Sequence, residues 1–305
     1  MRAHIRSDSI ERGFSPQHIA LDMIISGSVS QSLASRLATE LDRPLAVVEY
    51  DRFPDGELYV KIDDAVSEEV VIVGSTITSD AHIELLQLQD AAREAGAEKI
   101  TTVIPYMGYG RQDKAFKSGE SVSARAMANA ISVETDQVFV VTPHEKATCE
   151  FFTPTAVSVD GAKQLAEPLP DDLLDPVILA PDAGATDLAE AVRNEYGTGT
   201  VKSFDKIRHS GNEVEISGDE INVDGRDIVI VDDIIATGTT MSEAIETLQT
   251  DGARNVFVTC VHPLLAQNAR LKLSKAGATE IYATDTIEQP ESAVSVAPVL
   301  AEKLA

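Results

Sequence analysis

Short apolar runs punctuate this chain, separated by longer segments in which apolar residues recur every three or four positions. Met23-Ile-Ile-Ser26, Val70-Val-Ile-Val73, residues 100–104, Val138-Phe-Val-Val141, residues 177–179 and Ile228-Val-Ile-Val231 have the length and β-branched content of strands buried on both faces of a parallel sheet. Residues 31–41, residues 83–95 and the stretch carrying Met241, Ala244, Ile245 and Leu248 repeat at helical spacing. Residues 46–50 form a further apolar run that ends in Phe53-Pro-Asp-Gly-Glu57, where Pro followed by Asp-Gly predicts a turn, and Tyr59-Val-Lys-Ile62 resumes as a strand. Residues 201–204 read as another strand. Residues 213–223 alternate across Gly218-Asp219, the pattern of an exposed hairpin.

The order of these elements repeats. Val71-Ile-Val73, a loop, a helix and Gly96-Ala97 lead to a strand ending at Pro105; Val229-Ile-Val231, a loop, a helix and Gly252-Ala253 lead to one ending at Pro263. Two similar α/β halves are the economical reading. We expect an N-terminal extension (1–22), a first domain (23–160) whose last strand is residues 138–141, and a second domain (161–292). An apolar, helix-prone tail (293–305) is expected to pack back on the first domain.

Charge narrows the possible partners. Fifty acids against 25 bases give a net charge of −25 over 305 residues, which disfavours binding to nucleic-acid backbones and is typical of proteins that work in high salt. With 43% hydrophobic residues and no apolar run of the roughly 18 residues that a membrane span needs, a soluble globular protein without a membrane partner is expected. The first sixteen residues have arginines but no apolar core of a leader, and Cys149 and Cys260 fit no CxxC pattern. A reducing, cytoplasmic compartment is therefore expected.

Candidate chemistry lies just after the predicted strands, where open α/β sheets bind ligands. Asp232 and Asp233 end one strand and Ala236-Thr-Gly-Thr-Thr240 opens the next helix, whose free N–H groups suit a phosphate. The acids either serve sugar hydroxyls or a cation, or merely cap the helix. Four bases fall between Arg111 and Arg125, with Tyr106 and Tyr109 beside them for stacking, so an anionic ligand competes with a solvated loop as the explanation. His144 is a ligand or a structural histidine. Asp182, in Pro181-Asp-Ala-Gly-Ala-Thr186, is a cation ligand or a turn residue, beside small residues whose N–H groups suit an anion. Lys206 and Arg208 close over phosphates or are a solvated pair.

Together these segments resemble the ribose-phosphate pyrophosphokinases, also called phosphoribosyl pyrophosphate synthetases. Phe53-Pro-Asp-Gly-Glu57, Pro105-Tyr-Met-Gly-Tyr-Gly-Arg-Gln-Asp113, Pro143-His144, Pro181-Asp-Ala-Gly184, Lys206-Ile-Arg208 and Val231-Asp-Asp-Ile-Ile-Ala-Thr-Gly-Thr-Thr240 occur in that family's order and spacing. The resemblance implies an α/β fold of two tandem phosphoribosyltransferase-like domains, each a mainly parallel sheet flanked by helices. It also implies transfer of the β,γ-pyrophosphoryl group of Mg-ATP to the 1-hydroxyl of ribose 5-phosphate, with release of AMP. Asp55, Gly56, Glu57, Arg111 and Gln112 would bind ATP, and His144 and Asp182 would serve Mg2+. Asp182, Ala183, Gly184 and Ala185 would form a pyrophosphate loop. Asp232, Asp233, Ala236, Thr237, Gly238, Thr239 and Thr240 would hold ribose 5-phosphate, and Lys206 and Arg208 would be catalytic. A homo-oligomer with a shared ATP site is implied as well. Thr239 departs from the glycine, and Gly110 from the alanine, common in relatives. A phosphoribosyltransferase, which explains residues 228–240 alone, and a catalytically silent relative are the alternatives.

Overall fold

The structure, a computed structural model, describes residues 23–204, 206–208, 214–216 and 222–305; the extension 1–22 lies outside the described residues. The first half runs β1 (Met23–Ser26), α1 (Gln31–Leu41), β2 (Val48–Arg52), β3 (Leu58–Ile62), β4 (Glu69–Val73), α2 (Ser79–Glu94), β5 (Lys99–Ile104), α3 (Ser123–Ile131), β6 (Gln137–Val141) and β7 (Thr155–Val159). The second runs β8 (Val177–Ala180), α4 (Thr186–Tyr196), β9 (Thr200–Ser203), β10 (Lys206–Arg208), β11 (Val214–Ile216), β12 (Asp227–Ile234), α5 (Thr239–Thr250), β13 (Asn255–His262), α6 (Ala269–Ala276), β14 (Glu280–Thr284), β15 (Ser292–Val294) and α7 (Ala297–Leu304).

The repeat is structural. One sheet has the order β1-β4-β5-β6-β7 and the other β8-β12-β13-β14-β15, with β9 added beside β8, and every pairing within them is parallel. Both faces of each sheet are buried, which is why the strand sequences are continuous apolar runs. Ile24, Val71, Val73, Val103, Phe139 and Val141 of the first sheet and Ile178, Val229, Val231 and Val261 of the second belong to one core. It also takes in Leu33 and Leu37 of α1, Ala189 and Val192 of α4, and Val299 and Leu300 of α7. The outer faces are separate: Ile72, Ile104 and Val140 pack with Leu85, Leu88 and Ala128, while Val177, Ile230 and Val258 pack with Ile245, Leu248 and Leu273.

Two readings of the sequence change. Residues 138–141 are not the last strand of the first sheet, because β7 pairs beyond them. Thr155-Ala-Val-Ser-Val159 is an edge strand, only partly buried and preceded by a 3-10 segment (Lys146–Phe151) instead of a helix, so it lacks a continuous apolar run. Val214–Ile216 pairs with Lys206–Arg208, placing Lys206 opposite Ile216; the turn of the hairpin expected within 213–223 falls on 217–221, outside the described residues. The tail from 293 opens as the edge strand β15 before α7 crosses to α1.

The halves also meet through polar contacts at the carboxyl ends of the first sheet. Ser75 follows β4 at the place where the second half carries its acidic pair; its hydroxyl donates to the Thr286 carbonyl at 2.5 Å. Glu288 accepts from the backbone N–H groups of Ser32 (2.6 Å) and Leu33 (3.2 Å) at the start of α1. The second half thus supplies the negative charge that this helix N-terminus favours.

Candidate active site

Asp232 and Asp233 lie at the end of β12, where backbone pairing to β13 continues to Ile234 opposite His262. His144 comes from the first half, three residues beyond β6. Its Nδ1 is 2.6 Å from Asp233 Oδ2, a contact across the two halves. That hydrogen bond raises the His144 pKa against the opposing effect of burial. Burial pushes Asp233 up, but the bond and charge of His144 outweigh it and leave Asp233 low. Asp232 is driven well above the usual carboxylate range by burial and by the adjacent Asp233 charge, and its Oδ1 accepts from the Asp233 N–H at 2.9 Å. The pair is therefore asymmetric: Asp233 carries the charge, and Asp232 is the more easily protonated member.

Around this contact lies a cleft of about 670 Å³ lined by both halves. Arg111, His144, Asp182, Gly184, Ala185, Asp232 and Asp233, all singled out in the sequence, line it. The Asp182 carboxylate accepts from Gly184 N–H at 3.0 Å, so it caps the 3-10 turn Ala183–Ala185 and is a turn residue in addition to facing the cleft.

Asp55, Gly56, Glu57, Gln112 and residues 236–240 lie apart from the cleft lining. Asp55, Gly56 and Glu57 form the exposed turn of the antiparallel β2–β3 hairpin, with Gly56 at φ 95° and Asp55 Oδ1 accepting from Glu57 N–H. Gln112 turns its amide onto its own loop, donating to the carbonyls of Lys114 and Ser121. Ala236 to Thr240 join β12 to α5. Gly238 there has φ 69°, and its Cα side abuts Ala269, where a Cβ would come within 3.3 Å of the Ala269 Cβ. Lys206 and Arg208 are the ends of β10, whose backbone alone is described. Tyr109 is exposed, as stacking needs. Tyr106 is not: it is buried and its ring packs on His262 with centroids 5.1 Å apart. Sequence reasoning overlooked His262, Thr142 and Lys272. Lys272 of α6 donates to Thr239 Oγ1 (2.8 Å) and to the Thr237 carbonyl (3.2 Å). A lysine three residues into an amphipathic helix carries no motif, and only the packing of α6 on α5 brings it to the loop.

The fit of these residues to a magnesium ion can be judged from their donors. No group of three or more His, Cys, Asp or Glu side chains converges at ligand distance among the described residues. Mg2+ keeps several waters and binds through one or two protein groups plus substrate phosphates, so a sparse donor set suits it. His144 fits Mg2+ less well as a direct ligand than Asp182, since Mg2+ prefers oxygen donors; with Asp233 on Nδ1 its Nε2 is left to face a magnesium-bound water or phosphate.

Comparison with known proteins agrees with this layout. Residues 23–135 match the model of the N-terminal domain of ribose phosphate pyrophosphokinase, and residues 158–298 match that of the phosphoribosyl transferase domain. A ribose-phosphate pyrophosphokinase of Halobacterium salinarum is 59% identical over 92% of this chain and 100% of its own length. The chain belongs to the ribose-phosphate pyrophosphokinase family. The Methanosarcina acetivorans member is 45% identical over 92% of this chain and 98% of its own. The crystal structure of phosphoribosylpyrophosphate synthetase from Mycobacterium smegmatis superposes with a TM-score of 0.79 at 26% identity, covering 93% of this chain and 97% of that one. The two-domain parallel α/β architecture expected from the sequence is thereby established, as is membership of an enzyme family of transferases in nucleotide biosynthesis. No helix of the described residues is long and apolar enough to cross a membrane.

Proposed function

We propose that this enzyme transfers the β,γ-pyrophosphoryl group of ATP to the 1-hydroxyl of ribose 5-phosphate, giving 5-phosphoribosyl 1-pyrophosphate and AMP. The observation that carries the reading is the cleft between the halves, where Arg111, His144 and Asp182 meet the acidic end of β12. Asp232 and Asp233 accept hydrogen bonds from the ribose hydroxyls and so fix the 1-hydroxyl. The N–H groups at Thr239 and Thr240 open α5 and hold the 5-phosphate, with Lys272 adding positive charge beside Thr239.

The pyrophosphate passes along the loop of Asp182, Ala183, Gly184 and Ala185, whose small side chains let backbone N–H groups approach it. His144 and Asp182 would serve Mg2+, which would supply neutralisation of the transferred charge. Arg111 and Gln112 hold the nucleotide. Lys206 and Arg208, close to each other on β10, stabilise the transition-state charge, since phosphoryl-type transfer rests on positioning and electrostatics. Asp55, Gly56 and Glu57 are exposed and outside the cleft lining, which supports a homo-oligomer in which this turn completes the ATP site of a neighbouring copy. A cytoplasmic location follows from substrates of that kind.

The test is AMP formation from ATP, Mg2+ and ribose 5-phosphate in concentrated salt. Release that requires all three supports the reading. Turnover of 5-phosphoribosyl 1-pyrophosphate with a free base, without AMP formation, would replace it with a phosphoribosyltransferase. Size-exclusion chromatography showing a monomer would sink the shared site.

A further inference from the structure

His262 ends β13 and is 2% exposed. Its backbone and side chain point to opposite partners. The backbone carbonyl accepts from Ile235 N–H at 3.2 Å, two residues after Asp233. The imidazole Nε2 lies 3.0 Å from the Thr142 carbonyl, two residues before His144, and Nδ1 lies 2.9 Å from Thr286 Oγ1. A carbonyl can only accept, so Nε2 carries the proton. Burial pushes the ring pKa down to about 4, so that nitrogen's proton belongs to a neutral ring.

Thr142 needs such a hold. It is a buried β-branched residue at φ 38°, in the left-handed region that such side chains avoid. Each of its polar groups is engaged: its N–H donates to the Val159 carbonyl at 2.8 Å, its hydroxyl accepts from Gly161 N–H at 3.0 Å, and its carbonyl receives the imidazole. Strained backbone of this kind persists where its surroundings over-determine it. Here it turns the chain so that Pro143 and His144 leave β6 toward the second half.

We propose that His262 is the positioning residue of the His144–Asp233 contact, gripping the loop of each partner, one through its ring and the other through its backbone. The proposal rests on reading that contact as part of the reactive site. His262 touches no substrate in this scheme. It sets the register between a loop of the first half and the end of β12 in the second, and a misplacement of about 1 Å in a reactive group can cost about a hundredfold in rate.

Two substitutions separate reach from polarity. His262→Gln keeps an N–H donor near the place of Nε2, whereas His262→Asn keeps a polar group near Thr286 but falls short of Thr142. The Asn variant is expected to lose about 10–100-fold in kcat with little change in KM, the range found when a residue orienting a ligand is removed. The Gln variant is expected to restore most of that loss. In a His144→Ala background, His262→Asn should cost almost nothing further, because its effect passes through His144. An equal loss in both backgrounds, or full activity of His262→Asn, overturns the proposal.

Two further readings need no turnover, so they stand apart from the proposed reaction. Imidazole nitrogen shifts at neutral pH should show His262 as the neutral, Nε2-protonated ring in the unaltered protein. They should show the His144 Nδ1 hydrogen bond weakened in His262→Asn. A charged or Nδ1-protonated His262 refutes the assignment even if no variant folds, and so does a His144 bond unchanged in the Asn variant.

Discussion

Asp227 opens β12 at the end opposite the acidic pair, and its carboxylate is fully buried. It accepts from Leu174 N–H (2.6 Å), Arg254 Nε (2.8 Å) and Nη2 (2.6 Å), and Asn255 Nδ2 (2.9 Å). Asp227→Ala strips these donors of their acceptor. Hydrogen bonds to a charged group are worth about 1.5–3 kcal/mol each. Arg254 is 46% exposed and recovers water, so its share is discounted, and the bonds from Leu174 and Asn255 leave a loss of about 3–6 kcal/mol. At about 2–4 °C per kcal/mol for domains of this size, the unfolding midpoint should fall by roughly 6–24 °C. Turnover well below the transition should change little, because the cleft lies at the far end of the strand.

The same group fixes a pH dependence. Burial pushes the Asp227 carboxyl up, but hydrogen bonds from Arg254, Leu174 and Asn255 and the Arg254 charge outweigh it and hold it low. A carboxyl lower in the folded than in the unfolded state stabilises fully above its unfolded pKa of about 3.9. That stabilisation is lost as pH falls through the folded value. Calorimetry of parent and variant should therefore give a constant gap from pH 7 to 5 that narrows below about pH 4. A gap under 2 °C at pH 7, or one that persists unchanged at pH 3, would refute the reasoning.

Other consequences are open to direct measurement. Lys206→Ala should leave equilibrium binding of ATP and ribose 5-phosphate nearly intact and lower kcat by about a hundredfold or more; near-normal turnover would remove Lys206 from the catalytic assignment. Lys272→Ala should raise KM for ribose 5-phosphate by about 3–10-fold, on the order of 1 kcal/mol for one partly exposed charge beside a phosphate, with kcat unaltered. With a net charge of −25, thermal stability should climb as KCl is raised from dilute to molar concentration, and a midpoint independent of salt would show that self-repulsion is not limiting.

Much of the architecture was legible because buried parallel strands write themselves as apolar runs. Val70–Val73 and Ile228–Val231 could be read directly and then matched to each other as a repeat. β7 escaped because an edge strand shares half its surface with other environments and its sequence alternates. The pairing of Lys206–Arg208 with Val214–Ile216 escaped because alternation fixes a strand but not its partner. At the site, residues on loops after strands were visible from their position and chemistry. Arg111, His144, Asp182 and the acidic pair do line one cleft, though nothing in the sequence brings loops from two halves together. His262 was hidden for that reason: a histidine at the end of an apolar strand reads as core until Thr142 is seen above it. Tyr106 misled in the opposite direction, since an aromatic ring beside basic residues looks available for stacking until it is found buried.

The contact between α1 and α7 bears on how the polypeptide is made. Leu33 and Leu37 share one core with Val299 and Leu300, segments that leave the ribosome about 250 residues apart. At about 5–20 residues per second, the apolar face of α1 waits roughly 10–50 s for its cover. The first half therefore emerges first but is completed late, and its maturation is paced by translation of the second. A ribosome that stalls between residues 41 and 297 would leave that face open to solvent and to other nascent chains.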